Sequence, residues 1–237
     1  MTHHSNRPLA VVTGASSGIG YELAKQFAQN GFDLLITATS TKIDEVAQTL
    51  ESMGSEVETV QADLTTYDGV ETLYDKIKQT GTIEAIAINA GVGVGGDFAQ
   101  DTDLAAELNV INLNVVSTVH LAKRVVKDMV QQGKGRILFT SSIASQAPQP
   151  FQAVYAASKA FIQSFSESTS YDHGIRVKAC NFEPHGNIAF TLTRSIVSLH
   201  ELSIKHEQNQ IWGSKGFLQL LLSSFFCRTR FDDSKPF

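Results

Sequence analysis

Thr13-Gly14-Ala15-Ser16-Ser17-Gly18-Ile19-Gly20 decides the fold of this 237-residue chain. The run before it, Leu9–Thr13, is short and β-branched, which predicts a strand. The run after it, Ile19–Asn30, carries apolar residues at helical spacing and meets Gly31, a residue suited to cap a helix end. A loop between such a strand and helix lies at the carboxyl end of the strand, where open α/β sheets bind ligands. Its glycines allow a tight turn and close approach to a pyrophosphate, and the helix N-terminus adds unpaired N–H groups and a favourable dipole. Turns use glycine anyway, so the loop has meaning through its place at the first strand–helix junction, where it predicts dinucleotide binding.

Outward from this loop the same alternation continues. Strands are predicted at Leu34–Thr37, Val57–Gln61, Ile83–Ile88, Arg136–Thr140 and Ile175–Ala179. Helices are predicted at Ile43–Met53 before Gly54, Val70–Lys78, Leu104–Val130 before Gly133, and Ala153–Phe165. Strands alternating with helices imply parallel pairing through crossovers, hence an α/β fold with one doubly wound sheet of the Rossmann type. The strands are nearly continuous apolar runs, as expected when helices cover both faces. The whole chain, 1–237, reads as one NAD(P)-binding domain, with 181–237 as an atypical C-terminal segment of it.

Composition agrees: 42% of residues are hydrophobic and 18% charged. The net charge of −5 argues against nucleic acid and leaves small molecules as partners. Two distant cysteines, Cys180 and Cys227, give neither a disulfide framework nor zinc spacing, and a reducing, cytoplasmic setting is expected. No histidine shows metal-ligand spacing with cysteine or carboxylate, so no metal is expected. The N-terminal Met1 to Arg7 is polar and Phe217–Phe226 is too short for a bilayer, so neither a secretory signal nor a membrane span is expected.

Tyr155-Ala156-Ala157-Ser158-Lys159 sets a phenol and an ammonium on one helix face, at i and i+4. Carbonyl reduction needs a proton donor as hydride arrives, and alcohol oxidation needs the reverse. A free phenol, with a pKa of about 10, is a poor base near neutrality. A cation beside it favours the phenolate.

The glycine spacing Gly14-x-x-x-Gly18-x-Gly20, the Asn89-Ala90-Gly91 element and the Tyr155/Lys159 pair come in an order that resembles the short-chain dehydrogenase/reductase family, in its compact branch. The resemblance covers roughly Leu9 to Ile175. It implies an NAD(P)H-dependent oxidoreductase moving hydride between nicotinamide and a carbonyl or alcohol. Tyr155 is then general acid/base, Lys159 binds the nicotinamide ribose, Ser142 holds the substrate oxygen and Asn114 anchors a proton-relay water. Ser141 and Asn112 are the rival positions for the last two. Cofactor contacts are implied for Gly14, Ser16, Ser17, Gly18, Ile19, Gly20, Thr39, Asp63, Leu64, Asn89, Ala90 and Gly91, besides Tyr155 and Lys159. Asp63 would meet adenine; read from the residues alone it is a turn or helix-cap aspartate.

The end of the second strand, Ala38-Thr39-Ser40-Thr41-Lys42, has no acid to hold ribose hydroxyls, and its hydroxyls and lysine suit a phosphate, so NADP(H) is favoured over NAD(H). Assembly as a homodimer or homotetramer is implied, through the helices carrying Asn114 and Tyr155.

The chain departs from the family at three places. Ile88 stands where the family has an asparagine. Ser164–Tyr171 is Ser/Thr-rich and reads as a poor helix end. After the sixth strand, Asn181-Phe182-Glu183-Pro184-His185-Gly186 replaces the family's Pro-Gly element, and from Phe190 on only helical stretches, Ile196–Ile204 and Phe217–Phe226, are legible. No seventh strand is expected there. The alternative function is therefore a catalytically weak or inactive nucleotide binder.

Overall fold

The computed structural model of the protein describes residues 7–172 and 176–182. Six strands, β1 (Leu9–Thr13), β2 (Asp33–Ala38), β3 (Val57–Gln61), β4 (Ile83–Ile88), β5 (Arg136–Ser142) and β6 (Arg176–Phe182), form one sheet in the order β3-β2-β1-β4-β5-β6. Every pairing is parallel. The helices are α1 (Gly18–Gln29), α2 (Ile43–Glu51), α3 (Tyr67–Thr80), α4 (Leu104–Ile111), α5 (Ser117–Gln132) and α6 (Ala153–Asp172).

Side chains on a strand point alternately to its two faces, and the sheet divides its core accordingly. Ala10, Val12, Leu34, Ile36, Ala85 and Ala87 meet Leu23 and Phe27 of α1 and Leu50 of α2. Leu9, Val11, Leu35, Ile86, Ile137 and Phe139 meet Leu73 of α3, Leu121 and Val125 of α5, and Ile162 of α6. All five residues of β1 are buried, which places the glycine loop at the end of a fully buried strand.

Local chemistry sets the helix ends. Thr66 accepts from Gly69 N at 3.0 Å, so α3 starts at Tyr67, ahead of the predicted Val70. Asp103 accepts from Ala106 N at 2.8 Å and caps α4. Gly133, at φ +66°, ends α5 in the left-handed conformation.

Three expectations need correction. The single helix predicted over Leu104–Val130 is broken by a π-helical turn, Asn112–Val116, which separates α4 from α5. The Ser/Thr-rich run does not end α6, which continues to Asp172. There Ser166 Oγ donates to Gln163 O and Thr169 Oγ1 to Phe165 O, so the hydroxyls bond back within the helix. Packing holds the segment as well, with the Phe165 ring edge-on to Phe139 at 5.6 Å and stacked on Phe161 at 5.7 Å. Finally, β5 and β6 run to Ser142 and Phe182, beyond the predicted Thr140 and Ala179, because the two pair in register to those ends. The expectations for Ile196–Ile204, Phe217–Phe226 and a missing seventh strand lie outside the described residues.

Candidate active site

The strand order reverses direction between β1 and β4, and the carboxyl ends of these two strands open a crevice. Into it opens a cleft of about 430 Å³. The loop after β1 is tied to β2, since Gly14 N and Ala15 N both donate to Thr37 O, at 2.8 and 3.1 Å. Two of its glycines are required by space. A Cβ on Gly20 would lie 2.1 Å from Gly14 O, and one on Gly14, at φ +68°, would lie 3.0 Å from Ala90 Cα. Ser17, at the N-cap of α1, makes no side-chain bond to the first turn, whose residues Gly18, Ile19 and Gly20 line the cleft. Those N–H groups and the helix dipole favour an anion.

The end of β4 is held by Asn89. Its Nδ2 donates to Thr13 O at 3.0 Å, and its Oδ1 accepts from Thr140 Oγ1 at 3.0 Å. Thr13 Oγ1 in turn accepts from the N–H groups of Asn89 and Ala90, each at 2.9 Å. Strands β1, β4 and β5 are thus pinned where the cleft opens.

Helix α6 supplies the phenol and the ammonium. Tyr155 and Lys159 both line the cleft, and Lys159 Nζ stands 5.8 Å from the Tyr155 ring centroid. Lys159 is only 6% exposed and donates to Thr140 O at 3.0 Å. Burial pushes its ammonium down to a pKa of about 8. The loop after β4 leaves room for both groups: a Cβ on Gly91 would lie 3.3 Å from Lys159 Nζ, and one on Gly93 would lie 3.1 Å from Tyr155 Cδ2.

Asn114 sits in the π-helical turn and is buried. Its Nδ2 donates to Val92 O at 2.9 Å and to Ser158 Oγ at 3.0 Å, and its Oδ1 accepts from Val92 N at 2.9 Å. Ser158 Oγ donates to Tyr155 O at 2.7 Å. The π-helical turn thus carries an amide bonded to the loop over the cleft.

The cleft brings together Gly14, Ser16, Ser17, Gly18, Ile19, Gly20, Thr39, Leu64, Asn89, Ala90, Gly91, Tyr155 and Lys159. Three expected residues are not among those that line it. Asn114 is one. Ser142 is buried and accepts from Ala144 N at 3.2 Å, at the start of a short 3-10 turn, Ile143–Ser145. Its rival Ser141 lines the cleft but donates its hydroxyl to Lys159 O at 3.0 Å. Asp63 lies between the lining residues Ala62 and Leu64, and its Oδ1 accepts from Thr65 N and Thr65 Oγ1 at 2.9 and 2.7 Å. That is the turn aspartate of the plain reading. The sequence reasoning missed Ala62, Val92, Leu113 and Thr140 as lining residues. Each adjoins a named residue, and position beside a strand end was the available signal for all but Leu113, which lies in the π-helical turn.

A glycine cradle at a sheet's switch point, with a helix N-terminus and a Tyr–Lys pair in one cleft, defines a dinucleotide-binding α/β protein. Residues 8–189 match the family model described as short chain dehydrogenase. The oxidoreductase UcpA of Salmonella typhimurium is 31% identical over 175 residues, covering 72% of this chain and 66% of that protein, just under two thirds. A short-chain dehydrogenase from Sphingobium yanoikuyae, solved with NADPH, is 33% identical with a TM-score of 0.69, covering 73% of this chain and 69% of that one. Another from Burkholderia phymatum, solved with NAD, is 26% identical with a TM-score of 0.69, covering 73% and 64%. The chain belongs to the short-chain dehydrogenase family.

Proposed function

We propose that this chain reduces a carbonyl substrate with NADPH, and that Tyr155, Lys159, Ser142 and Asn114 carry the chemistry. The observation on which the reading rests is the buried Lys159 ammonium beside the Tyr155 ring, in the same cleft as the glycine cradle.

The cleft fits a dinucleotide on its own evidence, since the glycine loop and the first turn of α1, which no Ser17 side-chain bond caps, line it together. Gly14, Ser16, Ser17, Gly18, Ile19 and Gly20 would hold the pyrophosphate with N–H groups and the α1 dipole. Leu64, Asn89, Ala90 and Gly91 would flank the adenine and ribose, and Asp63 would reach adenine through its second oxygen. When bound, the nicotinamide supplies the hydride that adds to the carbonyl carbon. Tyr155 gives its phenolic proton to the carbonyl oxygen, so that the substrate leaves as an alcohol. Ser142 orients that oxygen. Lys159 holds ribose and favours the phenolate left on Tyr155. Asn114, whose amide is fixed to both Val92 and Ser158, anchors the route by which a proton returns.

The cofactor preference rests on the rim. Ala38 and Thr39 line the cleft at the end of β2, with no acid there to repel a 2′-phosphate. Beyond them the sequence brings the hydroxyls of Ser40 and Thr41 and the ammonium of Lys42, in a loop where Ser40 Oγ accepts from the backbone Lys42 N at 3.2 Å.

The chain acts as a homodimer or homotetramer in the cytoplasm on this reading. Exposed Leu108, Ile111 and Phe161 on α4 and α6 form the apolar face that would be covered. Among the described residues no helix is long and apolar enough to cross a membrane. The alternative of a weak or inactive nucleotide binder gains nothing from the site, where the phenol, the ammonium and the buried amide all stand in place. NADPH oxidation against a panel of aldehydes and ketones tests the proposal. Turnover of some of them supports it, and firm NADPH binding with no turnover of any would favour the alternative.

A further inference from the structure

Outside the cleft, a cluster of charged side chains joins α3 to α5. Arg124 Nε and Nη2 donate to the two carboxylate oxygens of Glu71, each at 2.9 Å, and His120 Nε2 stands 2.5 Å from Glu71 Oε1. The Tyr67 ring lies against the His120 ring, with 4.5 Å between centroids. Hydrogen bonding from Arg124, and after it from His120, holds the Glu71 carboxyl below its ordinary range. Ion pairs near a surface add little to stability, so the cluster matters through what it holds in place.

Tyr67 and Glu71 are one turn apart at the start of α3, with Gly69 between them. That opening turn is also the seat of the cleft loop 62–64. Asp63 O accepts from Thr66 N at 3.2 Å and from Thr66 Oγ1 at 2.9 Å. A Cβ on Gly69 would lie 1.9 Å from the same oxygen, so the backbone at Asp63 rests directly on the helix. Ala62 and Leu64, on either side of Asp63, line the cleft. One helical turn therefore touches the cleft loop and, through Tyr67 and Glu71, α5. Helix α5 is a firm support, because Leu121, Ala122 and Val125 are buried in the same core cluster as Leu73 of α3. A second tie joins the two helices farther from the loop: Tyr74 Oη and Lys78 Nζ both donate to Asp128 Oδ2, at 3.0 and 3.1 Å.

We propose that Glu71, held by Arg124 and His120, is a positioning residue that sets the cleft loop 62–64 for the adenine half of the cofactor. The inference rests on the reading that this end of the cleft takes adenine and adds the residues that fix it from behind.

The test compares the wild type with Glu71→Ala, Arg124→Leu, the double variant and Asp128→Ala. Calorimetry with 5′-AMP and with nicotinamide mononucleotide reads the two halves of the cleft separately, and fluorescence titration reads NADPH. None of these depends on turnover. Glu71→Ala and Arg124→Leu should each weaken AMP and NADPH about fivefold in Kd. Nicotinamide mononucleotide should stay within about twofold, a split that a general loosening of the fold would not produce. The double variant should bind AMP no more weakly than the weaker single variant, since both act through one contact. Asp128→Ala breaks the second tie between the same helices and should leave AMP affinity within about twofold. Unchanged AMP affinity in Glu71→Ala, equal weakening of both fragments, or a loss in Asp128→Ala as large as in Glu71→Ala would overturn the proposal. A wild type that binds nicotinamide mononucleotide but no AMP would remove the adenine reading of this end of the cleft, and the proposal with it.

Discussion

Asn114 and Ser158 meet across two helices at 3.0 Å, and Ser158 passes the contact to the carbonyl of Tyr155 at 2.7 Å. A buried amide therefore connects the π-helical turn to the backbone of the residue assigned to proton transfer. The amide also exchanges two hydrogen bonds with Val92 in the loop over the cleft.

Asn114→Leu removes these bonds and leaves Val92 N–H and C=O without their partner. Losing buried polar partners costs about 1–3 kcal/mol, and unfolding in urea should show a loss of that size. Asn114→Asp keeps the acceptor for Val92 N but not the donor for Val92 O, so it should restore only part of the stability. If the leucine variant loses both stability and kcat while substrate KM is unchanged, the amide supports the turn and the proton route together.

Lys159→Met should stabilise the free protein while removing activity. Burial lowers the lysine from 10.5 to about 8. The unfolded chain therefore binds a proton that the folded chain does not between about pH 8 and 10.5, and stability from this group rises with pH across that window. Below pH 8 both states are protonated and the burial penalty is complete. At pH 7 the methionine variant should gain about 2 kcal/mol, after allowance for the lost bond to Thr140 O. Its stability should also lose the upward slope between pH 8 and 10. Urea unfolding at pH 7 and pH 9.5 measures both, and an unchanged slope would count against a charged, buried Lys159.

Ala38→Asp should reverse the cofactor preference. A carboxylate at the end of β2 would repel a 2′-phosphate and accept from ribose hydroxyls, which is worth about tenfold in each direction. Fluorescence titration with NADPH and NADH reads the ratio directly. A wild type that already binds NADH more tightly would end the argument from the missing acid.

The apolar face of α4 and α6 makes assembly testable. A cavity of about 410 Å³ lies on it, lined by Phe98, Ile111, Val115, Ala153, Val154, Ala157, Ser158 and Phe161. Phe161→Arg should shift the protein to monomer in light scattering at micromolar concentration, because burying an unpaired charge in such a contact is costly. A wild type that is already monomeric there would reject the dimer. On α6 Ala156 is buried, while Ala160 and Phe161 are exposed.

Much of this was legible in the sequence because β-branched runs and glycine punctuation are local signals. Leu9–Thr13, Val57–Gln61 and Ile83–Ile88 were readable to the residue. Helix ends were less so: the capping Thr66, which moves the start of α3 to Tyr67, bonds three residues ahead, and a hydrophobic-period reading passes over it. The π-helical turn was not readable from hydrophobic spacing; only the family resemblance implied a distorted helix at Asn114. Nothing in Asn112–Val116 departs from helical spacing, and the bulge is fixed by what Asn114 reaches across to, Val92 and Ser158. The Ser/Thr-rich end of α6 was misread because propensity is a weak local term, and the Phe165 contacts with Phe139 and Phe161 outweigh it. In the site, position beside strand ends gave the cleft, while the inward turn of Ser142 and the local bonds of Asp63 depend on backbone geometry that spacing does not encode.

The central claim is that the Tyr155 phenol transfers the proton. Tyr155→Phe keeps the ring against Gly93 and removes only the hydroxyl. The decisive measurement is NADPH oxidation with the best carbonyl of the panel, paired with NADPH titration of the same two proteins. The account expects kcat to fall by at least about 10²-fold, with NADPH affinity within about twofold of the wild type. Turnover at the wild-type rate by Tyr155→Phe, with NADPH bound normally, would contradict it.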